Sequence, residues 1–252
     1  MDSAISQIDL GQAYLAPSWV HWLGTDYLGR DLLARIGAAI IQASLPVMAT
    51  VTVGFLIAGI VFLSWLPRGF PFPLMTGTAV IRSLPAGLLA FGVLVLAGGQ
   101  QRFEFVLLVI GIAATAGALD HLIHCWERDR HLGYWDAHHA MGGSARRRAI
   151  QFGMQQGWRQ SILQLFGLTI QTSLAIEATL GYLGMGIQEP RASLGNIIAA
   201  HYDRALKGYP IPALSAVAAL LAISMLPRFL TVGPIGRRKP AWLPRPASTS
   251  QK

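Results

Sequence analysis

Five apolar runs, each long enough to cross a bilayer as a helix, set the limits on what this chain can fold into. A hydrocarbon core of about 30 Å takes about 20 apolar residues in helical form. The runs are Ile36 to Leu66, Met75 to Gly99, Phe103 to Trp126, Ser161 to Ile187 and Pro210 to Val232. The first is closed by Pro67-Arg68-Gly69, and the third turns polar over its last two turns. In hydrocarbon each backbone N–H and C=O must find its partner inside the protein, and these runs lack the alternation of a barrel strand, so helices are expected. Composition agrees: 53% of the residues are hydrophobic and 13% charged, against about 25% charged in a soluble domain. The expected fold class is an all-α, multi-pass membrane protein with about five transmembrane helices.

The net charge of +8 does not point to nucleic acid, because no basic face with interleaved aromatics occurs. The arginines stand at the ends of apolar runs, as the positive-inside rule requires. Arg128, Arg130, Arg146, Arg147, Arg148 and Arg159 lie between the third and fourth runs, and Arg237, Arg238 and Lys239 follow the fifth. Both regions are expected on the cytoplasmic side, together with the turn carrying Arg68. Residues 1–35, the connection 98–102 and the loop 188–209 then face outward. The organisation expected is an extracytoplasmic segment over 1–35, a membrane domain over 36–233 with a cytoplasmic loop at about 127–159, and a basic, disordered tail over 234–252. A cleavable leader is not expected, since the first apolar run starts after residue 35 without a basic stretch before it. Cys125, the single cysteine, permits no internal disulfide.

Four places carry more specific patterns. His21-Trp22-Leu23-Gly24-Thr25-Asp26-Tyr27-Leu28-Gly29-Arg30-Asp31 places G-T-D and G-R-D just before the first run. Arg82-Ser83-Leu84-Pro85 opens the second. Tyr134 to Ser144 is a short polar stretch with a glycine pair, followed by three arginines. Glu177-Ala178-Thr179-Leu180-Gly181-Tyr182-Leu183-Gly184-Met185-Gly186 precedes Ser193-Leu194-Gly195-Asn196. In this order and spacing the four resemble the second permease subunit of the dipeptide, oligopeptide and nickel ABC importers, over roughly residues 15 to 232. The resemblance implies the type I permease fold with that family's usual first helix missing. It also implies a location in the bacterial cytoplasmic (inner) membrane. The partners implied are a homologous permease subunit, ABC ATPase subunits, an extracytoplasmic substrate-binding protein and the lipid bilayer, with no nucleic acid. The chain departs from the family at His138-His139 in the third pattern and lacks the proline that often follows it.

The resemblance makes the third pattern the loop that docks on the ATPase, with Trp135, Asp136, Ala137, Ala140, Met141 and Gly142 as its site residues. Asp136 suits a helix start, the alanines allow close approach, and Gly142 permits the bend that ends a short helix. Gly24, Thr25, Asp26, Gly29, Arg30 and Asp31 form the extracytoplasmic motif. Glu177, ionisable in the middle of an apolar helix, should face the bundle interior or a wet cavity; it lines a solute path or joins two helices. Catalytic residues, bound metal and cofactors are not expected: G-x-x-x-x-G-K-[ST] does not occur, so the chain cannot bind ATP in that manner, and the resemblance implies that ATP hydrolysis lies on a separate subunit. Two other readings stand beside the importer permease. One is a truncated permease that no longer transports. The other, less favoured, is an intramembrane metal-dependent enzyme using Asp120, His121 and His124, whose spacing fits a polar helix end better.

Overall fold

The computed structural model describes residues 8–97, 103–129, 142 and 156–231. Among these, the chain is helical apart from its connections. A short 3-10 turn (Leu10–Gln12) precedes α1 (Leu32–Trp65), α2 (Phe72–Ser83), α3 (Ala86–Leu96), α4 (Phe103–Asp129), α5 (Gln156–Tyr182), α6 (Leu194–Leu206) and α7 (Ile211–Thr231). Asp31 caps α1, its side chain accepting from Ala34 N at 2.9 Å. That acceptor satisfies one of the amides that every helix start leaves free.

Helices α1 and α4 are long and apolar enough to cross a membrane. They form the main seam of the fold, and small residues let them approach closely. A Cβ on Gly54 would stand 3.1 Å from Ala114 Cβ, the Gly111 carbonyl and Thr115 Oγ1, and one on Gly111 would stand 3.1 Å from Thr50 Cγ2. Without a hydrophobic drive between helices in lipid, such close packing is a main source of association. Around the seam Val47, Val51, Val106, Val109 and Ile110 are buried with Ala90 and Leu94 of α3 and Ile170 and Leu174 of α5. A second cluster joins Ala58, Phe62, Leu119 and Ile123 to Trp158 at the start of α5. A third, at the N-terminal end of α1, joins Leu32, Ile36 and Ala39 to Leu194 and Ile197 of α6 and Ala216 of α7.

The second apolar run is not one straight span. It divides into α2 and α3, which bend by 90° at the break. Leu84 is extended (φ −91°, ψ 133°), and Pro85 starts α3. A residue before proline is pushed out of the helical region by the ring, so the Ser83-Leu84-Pro85 step ends one helix and opens the next. Beside α2, a largely apolar groove of about 740 Å³ runs between α1 and α4, with Val53, Gly54, Thr78, Ile81 and Leu108 in its wall. The loop 188–209 contains α6, which packs against α5 and α7.

The seam makes a direct prediction. Gly54→Leu should cost about 1–3 kcal/mol, the range for overpacking a tight contact, and lower the thermal midpoint of the detergent-purified protein. Gly59→Leu, which meets nothing within 4 Å at its Cβ, should leave that midpoint unchanged. Equal midpoints for the two variants would rule out the seam as a determinant of stability.

Candidate functional site

The segment before α1 folds around Asp26. Its Oδ1 accepts from the backbone amides of Leu28 (2.8 Å) and Arg30 (2.9 Å). Its Oδ2 accepts from Arg30 Nε and from Arg35 Nη1, both at 2.7 Å. The second nitrogens of both guanidinium groups reach across the fold to Glu189 Oε1, at 3.2 Å from Arg30 and 3.1 Å from Arg35. Two cations and two anions thus balance, with Asp26, Arg30 and Arg35 no more than 4% exposed. Burial works against the Arg30 cation, but the Asp26 carboxylate outweighs it and holds its pKa above the ordinary arginine range. Burial, then Glu189, pushes the Tyr27 phenol above its usual value, so it stays neutral.

The glycines of this motif are required by geometry. Gly29 has φ +76°, and a Cβ there would lie 1.8 Å from the Asp9 carbonyl; Gly24 has φ +79°, with the Leu15 carbonyl at 2.4 Å. Positive φ with a carbonyl in the place of a side chain admits glycine alone. Thr25 donates through Oγ1 to the Gln12 carbonyl and accepts from Leu15 N at 2.8 Å. Asp31 caps α1 and also meets His21 Nδ1 at 2.8 Å. The G-T-D/G-R-D pattern therefore builds one rigid cap, to which the structure adds Arg35 and Glu189.

Glu177 lies on α5, 2% exposed, and its Oε1 accepts from Ser193 Oγ at 3.0 Å. Ser193 opens α6 with a reciprocal cap: its Oγ accepts from Gly195 N at 3.2 Å, and its own amide donates to Asn196 Oδ1 at 3.1 Å. The glycines let this turn lie against α5. A Cβ on Gly195 would stand 2.1 Å from the Ala178 carbonyl, and one on Gly181 would stand 2.7 Å from Ser193 Oγ. The spacing of the glutamate–glycine pattern and the S-L-G-N pattern thus serves one contact between α5 and α6.

No family model matches the chain. Among curated proteins, one named as a peptide permease in Brucella suis biovar 1 is 28% identical over 233 residues, covering 88% of this chain and 74% of that one. The glutathione transport system permease protein GsiD of Pectobacterium atrosepticum is 28% identical over 225 residues, covering 83% and 70%. A second Brucella suis protein, named for a peptide transport system permease, is 28% identical over 218 residues, covering 83% and 71%. Along most of its length the chain is similar to peptide and glutathione transport permeases. Its homologues are transport permeases rather than enzymes, and with its apolar helices they make it an integral membrane protein.

The residues of the metal-enzyme reading are engaged in contacts that hold helices together. Asp120, buried on α4, pairs with Arg82 at the end of α2, and His124 Nδ1 bonds the Asp120 carbonyl at 2.8 Å. His121 Nε2 meets Ser161 Oγ at 3.2 Å. Among the described residues no three His, Cys, Asp or Glu side chains are grouped to hold a metal. The Arg82–Asp120 pair instead fastens α2 to α4 next to the 90° break. Of the docking-loop residues, Trp135, Asp136, Ala137, Ala140 and Met141 lie outside the described residues. Gly142 has φ +76°, and its Cβ position is open. The segment's two flanks are joined, since Trp158 Nε1 of α5 donates to Asp129 Oδ2 of α4.

Arg35, Glu189 and the Arg82–Asp120 pairing were not apparent as sites in the sequence. The available signals were charges placed just inside or beside apolar runs, which are costly unless paired.

Two outcomes test these contacts. Asp26→Asn keeps the shape but strands two buried guanidinium groups on one acid, so it should destabilise the protein by about 3–5 kcal/mol. Glu189→Gln should cost less, because the Glu189 side chain is 38% exposed; unfolding of both variants in detergent compares them, and equal losses would refute the ranking. Arg82→Ala and Asp120→Ala should each speed hydrogen exchange over α2 without changing α1, and the double variant should add nothing further.

Proposed function

We propose that this chain forms half of the translocation pathway of an ATP-driven importer for peptides or related small solutes. Similarity to proteins named as peptide permeases along 88% of the chain carries this reading, and the relative named for glutathione transport, itself a small peptide, supports the solute class. A homologous permease would supply the other half of the pathway. A substrate-binding protein would deliver solute at the face where the Asp26–Glu189 cap lies, and two ATPase subunits would act at the opposite face. The arginine-rich loop and tail assign that opposite face to the cytoplasm. Five spans of the bacterial inner membrane then correspond to α1, the α2–α3 pair, α4, α5 and α7, with residues 1–35 outside and 234–252 inside.

In this scheme the ATPase pair closes on ATP and pulls on residues 134–144. The spans rock as rigid bodies between two packings. Trp135 and Met141 serve as apolar anchors in the ATPase groove. The Trp158–Asp129 bond ties α4 to α5 where the loop leaves them, so a pull on the loop reaches both helices. Glu177 and Ser193 transmit movement of α5 to α6 at the other face.

The deciding experiment is purification of the tagged chain in mild detergent from its native membrane, with mass spectrometry of what accompanies it. An ATPase and a second permease are expected, with uptake of labelled di- and tripeptides by the reconstituted complex; a well-folded chain that emerges alone would overturn the assignment. Gly142→Asp should abolish uptake while the protein still reaches the membrane in normal amount. Normal uptake by that variant would remove the loop from the coupling route.

A further inference from the structure

The turn at Ser18–His21 holds its most apolar side chains outward on a polar frame. Ser18 N donates to the His21 carbonyl at 2.8 Å, His21 N donates to Ser18 Oγ at 3.1 Å, and Gly24 N donates to the same His21 carbonyl at 2.9 Å. The His21 ring is gripped between Asp31 Oδ2 (2.8 Å) and Gln12 Oε1 (3.3 Å). At the tip Trp19 is 97% exposed and Val20 80%, and Trp22 beside them is 69% exposed. Scattered surface apolar residues need no explanation, but a built turn that presents three together does.

We propose that this turn is an interfacial membrane anchor, in which Trp19, Val20 and Trp22 enter the headgroup layer of the bilayer and fix the depth of α1. Three observations favour a lipid surface over a protein partner. The chain from Leu10 to Gly24 contains no Asp, Glu, Lys or Arg, so it lacks the charge that would steer a protein partner into register. Tryptophan, apolar in its ring and polar at its N–H, partitions to the bilayer interface. The turn is also placed at the right height. The 34 residues of α1 span about 51 Å at 1.5 Å per residue, roughly 20 Å more than the hydrocarbon core. Asp31 and Arg35, charged residues at the start of α1, keep that end out of the hydrocarbon and in the headgroup layer, and the His21–Asp31 contact fastens the tip to the helix cap at that level. The proposal rests on the membrane-embedded fold and is independent of which solute is carried.

The test uses the full chain with Cys125→Ser and Val20→Cys, labelled at position 20 with an environment-sensitive fluorophore, in nanodiscs of phosphatidylethanolamine and phosphatidylglycerol. Val20 is 80% exposed, so a label there should leave folding intact, and the elution profile verifies this. The expected result is a blue-shifted label, protected from iodide and quenched more strongly by a nitroxide at the headgroup than by one deep in the acyl chain. Adding Trp19→Ser and Trp22→Ser should restore iodide access and weaken the nitroxide effect. Full iodide quenching of the parent label without nitroxide quenching would place the tip in water and overturn the proposal. Protection from iodide without nitroxide quenching, seen only when other subunits co-purify, would assign the tip to a protein contact and also overturn it. Peptide uptake is read separately, so loss of the anchor and loss of the importer assignment are distinguished.

Discussion

The arrangement depends on how closely α1 and α4 can approach. Gly54 and Gly111 remove the side chains that would separate them, and the surface thus formed receives the remaining helices. Helices α2 and α3 lie against α4 on either side of their break, and α5 packs on both α1 and α4. In lipid the gain comes from dispersion contacts and interhelical hydrogen bonds. Small residues at the seam therefore do the work that large apolar side chains do in a soluble core. The large apolar side chains of α1, such as Ile41, Leu45, Leu56 and Ile60, instead point away from the protein.

At the two ends of the bundle the fold uses polar chemistry. At the N-terminal end of α1, Asp26 collects two backbone amides and two guanidinium groups, and Glu189 receives the other side of both guanidiniums. At the far end, Asp129 meets Trp158, and Arg82 meets Asp120. Neither arrangement resembles a reaction centre. Each joins elements that are distant in sequence.

Much of the helix layout could be read from the residues, because a long apolar run has few ways to satisfy its backbone in hydrocarbon. Phe103 to Trp126 lies within α4, and Ile36 to Leu66 matches α1 to within a few residues, the helix starting earlier where Asp31 caps it and ending one residue sooner. The 90° turn was not readable: Arg82 and Pro85 mark a weak point, but whether a proline kinks a span or splits it depends on what packs beside it. Here Asp120 holds Arg82 in place. The motif residues from Gly24 to Asp31 were recognisable as a pattern, but their physical purpose was not. The partners that explain them, Arg35 and Glu189, carry no local signature. Glu177 could be expected to face inward from its cost in an apolar helix, whereas its bond to Ser193 depends on a turn formed by glycines whose packing only the fold reveals.

The span of the Arg30–Glu189 contact, 159 residues of sequence, also has a consequence for biogenesis. Asp26 is made within ten residues of both arginines, so a partial cap can form as soon as the first helix leaves the ribosome. The second acid arrives only after α5 has been made, roughly ten to thirty seconds later at ordinary rates of synthesis. During that interval one carboxylate serves two guanidinium groups beside the membrane. Closure of the cap by Glu189 therefore waits on the connection after α5, and it ties the start of α1 to a part of the chain made much later.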